Sequence, residues 1–299
     1  MGKFLGKVVI FLILTWVLSI AVAMVVPANT TAPLYPIHDK MARLDTLPGR
    51  RLVIVANSSS AFGIVSPRLR AATGLNVVNA GLTSVIGMRF MLHEVAHRVR
   101  PGDVVAVMME YDQWNKDNYD GAPGGLALSV SYIGLETVNR LNADQLWKML
   151  CGFPSVTLRN IITLKPGDDY CGLNYNEFGD EYIHWKKKSS GNRPIDYDLN
   201  DSGMSPSVFD EVAELIQEMR TKDVEVLLLP QITVQSNYDF YRKANRVIYA
   251  AMARRGVPFD APANTFVVPD SLMYDTPNHL IYQGAVIVTD RLSRLVTDR

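Results

Sequence analysis

Four short apolar runs, spaced by stretches of helical periodicity, most constrain what this chain can fold into. Leu52 to Ala56 and Val104 to Met109 are continuously apolar, the pattern of strands buried on both faces. Asn76 to Asn79 and Val224 to Leu229, the latter stopped by Pro230, are the second and fourth strands of the series. Ser66-Pro67 opens a helix that Gly74 closes, and Ile86 to Arg98 carries Met88, Met91, Leu92 and Val95 on one face. Ser205-Pro206 starts a helix to Lys222 whose stripe is Val208, Val212, Leu215, Ile216 and Met219. Asn237 to Arg255, capped by Gly256, and Gly284 to Asp298 complete the helices, with Val257 to Asp260 and Phe266-Val267-Val268 as short strand candidates. Strands alternating with helices predict an α/β domain: a central parallel sheet covered on both faces.

The N-terminus bears on location. Lys3 and Lys7 precede an uncharged run from Val8 to Val26, which as a helix rises about 28 Å, near the hydrocarbon thickness of a bilayer. The expected organisation is a transmembrane anchor over 1–26 with a cytoplasmic N-terminus, a linker over 27–50, and a domain over 51–299 outside the cytoplasm. That makes a single-pass protein of the inner (cytoplasmic) membrane with a periplasmic domain. Ala21-Val22-Ala23 has the small-residue form of a signal-peptide cleavage site, but the apolar run continues past it, which favours a retained anchor. Thirty basic residues balance thirty acidic ones, so no nucleic-acid partner is expected. Residues 113–204 break the alternation. They hold Gly121-Ala122-Pro123-Gly124-Gly125, a helix over Asn142 to Leu150 and the polar Lys186 to Gly191, and read as an insertion dividing one domain.

Working groups of open parallel sheets gather beyond the carboxyl ends of the strands. Ala56 to Gly63, Asn79 to Ser84 and Glu110 to Asn115 are such exits, and a loop with Asp275 and His279 joins them if the last strand is parallel to the rest. A serine hydroxyl needs an imidazole to take its proton and a carboxylate to orient that imidazole, and the order Ser, Asp, His supplies all three. Backbone N–H groups in the Ser58 turn are candidates to hold an oxyanion.

These residues resemble the SGNH (GDSL-type) hydrolases and acyltransferases. The likeness is greatest to the membrane-anchored, extracytoplasmic members that act on bacterial polysaccharides, such as the D-alanine transfer proteins of teichoic acids and the alginate O-acetylation proteins. It covers Arg51 to about Tyr111 and Ser205 to the end. The first block, Gly-Asp-Ser in the archetype, is Ala56-Asn57-Ser58 here and implies Ser58 as nucleophile, with Ser59 and Ser60 as fallbacks. Asn79-Ala80-Gly81 matches the second block, and Asp275 and His279 match the last, followed by Gly284. The implied fold is a flavodoxin-like three-layer α/β sandwich. The implied oxyanion and substrate residues are Asn57, Asn79, Gly81, Ser84 and Tyr111. Three departures stand out: Asp and His lie four apart instead of three, Ser84 replaces a glycine, and Met109-Glu110-Tyr111-Asp112 lacks the third-block Asn, for which Tyr111 or Asn115 are substitutes.

The resemblance implies an anchored O-acyltransferase or esterase, usually of acetyl groups, acting on an exported glycan or cell-wall polymer, with a membrane-bound O-acyltransferase as partner. Two alternatives are a non-catalytic glycan-binding or scaffolding subunit and a periplasmic esterase released by cleavage after Ala23. No cofactor or metal is expected, since no Cys/His set has ligand spacing; His93 and His97 read as surface or packing residues. Cys151 and Cys171, exported together, are candidates for a disulfide. Trp114, Trp147 and Trp185 read as core packing, with a sugar-stacking platform as the alternative.

Overall fold

A computed structural model describes residues 2–25, 28–159, 163–189 and 203–298. Val26, the last residue of the expected anchor, Pro27, the first of the expected linker, and Ser190-Gly191 lie outside the described residues. The central sheet has four strands, β1 (Arg51–Ala56), β2 (Asn76–Asn79), β3 (Val104–Met108) and β4 (Glu225–Leu229), in the order β2-β1-β3-β4. Every pair is parallel. All six residues of β1 are buried, as expected of a strand with a neighbour on each side and helices above and below.

Alternate residues of each strand feed two cores. Val53, Val55, Val78, Val105, Val107, Val226 and Leu228 face a large cluster shared with α2 (Pro36–Thr46), α5 (Met88–Arg98), α9 (Pro206–Thr221) and α11 (Arg242–Arg254). Leu52, Ile54, Ala56, Ala106, Met108 and Leu227 face α4 (Ser66–Thr73) and α12 (Tyr282–Thr297). α3 (Ser58–Gly63) follows β1 directly, and α10 (Gln235–Phe240) meets α11 at a break at Tyr241. The continuous helix expected over Asn237 to Arg255 is therefore two. At the base of the sheet the buried Arg51 guanidinium clamps Asp103 and donates to the carbonyls of Leu44 and Arg98.

Several expectations need correction. The segment read as a linker contains α2, whose Ile37, Met41 and Leu44 lie in the main core; its apolar positions recur at helical spacing, which the flanking Pro and Thr residues obscured. Val257 to Asp260 is not a strand, and Val267–Val268 (β6) pairs in parallel with β5 (Thr233–Val234) in a separate two-stranded sheet. The loop bearing Asp275 and His279 thus does not leave a fifth strand of the central sheet. The Cys151–Cys171 bridge is not formed: Cys151 is exposed on a helix while Cys171 is buried in the turn before Gly172.

The insertion is folded. It contains α6 (Lys116–Asp120), α7 (Pro123–Ile133) and α8 (Ala143–Arg159), and Leu126, Val130, Met149 and Phe153 enter the same core as α2 and α5. Of the tryptophans, Trp114 is buried and stacks on Phe209, Trp185 is half-buried near Tyr282, and Trp147 is exposed on α8, against the core role expected of it. At the N-terminus, α1 (Gly2–Val25) contains one stretch, Gly2–Ala23, long and apolar enough to cross a membrane.

Candidate active site

β1 ends at Ala56, Asn57 continues in extended conformation, and Ser58 is the first residue of α3. Its side chain is half-buried, whereas Ser59 and Ser60 are fully buried. Ser60 Oγ donates to Asn79 Oδ1 at 2.9 Å, which ties the end of β2 to the turn. Gly81 permits this approach: a Cβ there would lie 1.9 Å from Ser60 Oγ and 2.6 Å from the Asn57 carbonyl oxygen. The glycine of the Asn-x-Gly exit is thus required for backbone contact, not for an unusual dihedral.

His279 Nε2 lies 2.8 Å from Ser58 Oγ, and Nδ1 lies 2.7 Å from Asp275 Oδ1. With the ring proton on Nδ1 donated to the carboxylate, Nε2 is left to accept from the serine hydroxyl. The four-residue Asp–His interval is absorbed by a closed turn. Tyr274 N–H donates to the His279 carbonyl at 2.8 Å, His279 N–H donates to Thr276 O at 3.1 Å, and Met273 bridges Leu280. The imidazole stacks on Phe62, centroids 4.1 Å apart and planes 14° from parallel, so a ring on α3 fixes the plane of the imidazole. Phe62 in turn packs on His184, whose Nε2 lies 3.1 Å from the Phe62 carbonyl.

The insertion contributes directly. Tyr170, at a left-handed φ of 63°, donates its hydroxyl to Asp275 Oδ2. Next to it, Asp169 accepts from the Tyr274 hydroxyl at 2.8 Å and from Lys187, whose hydrogen bond holds that carboxyl below its usual range. Asp180 accepts from Ser66 N–H, from Ser66 Oγ and from Asn79 Nδ2 at 2.8, 2.5 and 2.9 Å, closing the insertion over the β2 exit.

Of the expected oxyanion and substrate residues, Asn79 is committed to this scaffold: its Oδ1 accepts from Ser60 Oγ and Gly81 N–H, and its Nδ2 donates to Ser60 O and Asp180. Asn57 lies beside Ser58 with its Oδ1 buried and unpartnered. Ser84 opens a short turn on which a hydroxyl of Thr83 caps Val85 N–H. Tyr111, the candidate substitute for the missing Asn, is engaged elsewhere at both its N–H and its hydroxyl. Its N–H donates to Gln231 and its hydroxyl accepts from Asn245, and burial pushes that phenol well above its usual pKa. Asn115 caps α6.

At the β3 exit stands Glu110, buried, with Oε1 accepting Ser59 N–H at 3.2 Å. Burial, with the nearby Asp112 carboxylate adding to it, pushes the Glu110 pKa up to about 7. Sequence reasoning named this exit without giving Glu110 a role, although a carboxylate ending an apolar strand is itself a signal. Tyr170 carried no signal in the sequence at all. His93, on α5, pairs with Glu211 at 3.0 Å. Among the described residues, no group of three or more His, Cys, Asp and Glu side chains could hold a metal ion. No family model matches the chain, and neither curated proteins nor solved structures yield a match.

Proposed function

We propose that the chain is a membrane-anchored serine O-acyltransferase or esterase of the SGNH type, acting outside the cytoplasm on an exported polysaccharide or cell-wall polymer. The single observation that carries this reading is the convergence of Ser58, His279 and Asp275, within hydrogen-bond reach of one another from opposite ends of the sequence. The strand order, the helices on both sheet faces and the nucleophile at the exit of β1 support the three-layer sandwich of that family.

In this reading Ser58 Oγ attacks an acyl carbonyl while its proton passes to His279 Nε2. Asp275 holds Nδ1–H and stabilises the imidazolium. The tetrahedral oxyanion collapses, the C–O bond to the donor breaks, and His279 returns the proton to the departing oxygen. A glycan hydroxyl, or water in the esterase, then gives its proton to Nε2 and attacks the acyl carbon; the C–O bond to Ser58 breaks and Nε2 returns the proton to Ser58 Oγ. The Ser58 N–H, first in α3 and without an intrahelical acceptor, is a candidate oxyanion donor. Acetyl is the acyl group, and a membrane-bound O-acyltransferase its supplier.

The test is labelling of the full-length protein with a fluorophosphonate, together with hydrolysis of an aryl acetate. The wild type labels at Ser58, and Ser58→Ala abolishes labelling and ester cleavage with an unchanged melting temperature. One observation favours a second reading, a non-catalytic glycan-binding scaffold: the third-block exit lacks the family's Asn donor, and the hydroxyl of Tyr111 at that position is engaged by Asn245. A folded wild type that never labels selects the scaffold.

A further inference from the structure

α1 is not free of the domain along its whole length. From Trp16 onward one face, Trp16, Ser19, Ile20 and Ala23, turns inward at the i, i+3, i+4, i+7 spacing of a packed helix; Ala23 is buried in the main core and Ile20 packs against it. The Trp16 indole donates to the Leu150 carbonyl of α8 at 2.9 Å. Leu12, Ile13, Thr15, Trp16 and Ser19 line one side of a groove of about 450 Å³ whose other wall is Pro154 of α8.

This packing conflicts with a bilayer that surrounds α1 alone. The free part, Gly2 to Thr15, is about 21 Å long, and its uncharged portion, Val8 to Thr15, only about 12 Å. A hydrocarbon core is about 30 Å thick. If α1 crosses the membrane, the remaining thickness falls on the residues already packed against α8, so α8 lies at the same depth.

The outward face of α8 has the chemistry for this. Leu146, Trp147, Cys151 and Pro154 are exposed and Leu150 is half-buried; Trp147 is 67% exposed, an unusual state for that side chain in water. No charged residue occurs from Met149 to Leu158. The charged positions of the helix before Arg159, Asp144 and Lys148, sit at its N-terminal end, as for a helix that enters a membrane from its surface. Leu135, before α8, adds a further 61%-exposed apolar side chain.

We propose that the outward face of α8 is a membrane-inserted surface, embedded in the lipid beside α1. The proposal rests on α1 being a retained span, as in the function proposed above. The chain leaving α8 goes on to supply Asp169 and Tyr170 to the triad loop. Insertion of α8 therefore fixes the height of the site over the bilayer.

Cys151 provides the probe, because Cys171 is buried. The full-length protein is reconstituted in phosphatidylcholine–phosphatidylglycerol vesicles with a nitroxide on Cys151, and collisions with oxygen and with a water-soluble nickel chelate are compared. Oxygen collisions exceed nickel collisions several-fold at Cys151. The reverse holds for a label at Lys222→Cys, a position where an exposed ion pair with Glu218 marks water. Nickel access at Cys151 equal to that control overturns the inference while leaving the anchor intact. A label shielded from both reagents also overturns it, by pointing to a protein partner on this face. An intact mass that begins after Ala23 removes α1 and overturns inference and anchor together. As a readout free of cysteine, brominated phospholipids quench the wild type more than Trp147→Phe; equal quenching counts against insertion.

Discussion

The phenol of Tyr170 donates to the outer oxygen of Asp275, so the segment between β3 and α9 completes a site whose other members come from the two ends of the domain. The carboxylate is held at both oxygens, by His279 Nδ1 on one side and by this hydroxyl on the other. Tyr170→Phe keeps the ring against Phe62 and removes only the hydrogen bond. A hydrogen bond to a charged acceptor contributes about 1.5–3 kcal/mol. The rate of Ser58 phosphonylation by a fluorophosphonate should fall by roughly tenfold or more, with the melting temperature little changed. An undiminished rate removes Tyr170 from the positioning of Asp275.

Gly81→Ala tests the contact beneath the Ser58 turn. The added methyl meets Ser60 Oγ and the Asn57 carbonyl, and the carbonyl is backbone that cannot swing aside. The turn carrying Ser58 must shift. Overpacking of this kind costs about 1–3 kcal/mol, and displacement of a nucleophile by an ångström costs on the order of 10²-fold in rate. Thermal denaturation and ester hydrolysis should show both losses, the kinetic one being the larger.

Glu110 should leave a signature in the pH dependence of stability. Its folded pKa, about 7, lies above the ordinary carboxylate value, so between the two the folded state binds the extra proton. The contribution of this group is present in full below the ordinary value and is lost as pH rises towards 7. Lys40, buried against the carbonyls of Asn79 and Gly179, acts in a different window: burial lowers its pKa to about 7, so stability is regained as pH rises from 7 towards the ordinary lysine value. Glu110→Gln should reduce the acidic slope, to which Asp112 and Asp180, also raised by burial, contribute with the same sign, and leave the alkaline one. An undiminished slope between pH 4.5 and 7 removes Glu110 as a contributor.

Asp103→Ala probes the base of the sheet. Arg51 is wholly buried, and removal of its partner leaves an uncompensated cation. Such a loss costs about 3–5 kcal/mol. Denaturant midpoints should report it, while ester hydrolysis by the remaining folded protein stays near the wild-type rate, because the pair lies at the opposite end of β1 from Ser58.

Some of this architecture was readable residue by residue. The four central strands stand within one residue of the runs that announced them, because their interior positions are apolar and only their ends carry Arg51, Asn76, Asn79 and Glu225. The Ser58 exit and the Asp275–His279 loop were legible as chemistry, since hydroxyl, imidazole and carboxylate at chain turns are conspicuous. α2 was not, because proline and threonine around it imitate a tether and its apolar stripe has meaning only beside β2 and α5. The role of Glu110 was missed for a related reason: a carboxylate becomes a titrating neighbour of Ser59 only once it is buried there.

Local pattern by itself determined which stretches form strands and helices, and that an apolar helix leads the chain, because periodicity and hydropathy are properties of adjacent residues. Only the tertiary structure decided that His279 reaches Ser58, that Tyr170 reaches Asp275, and that Trp16 is fastened to α8. Those contacts join residues more than a hundred positions apart. They depend on how layers stack and where an insertion folds back, which no window of sequence contains.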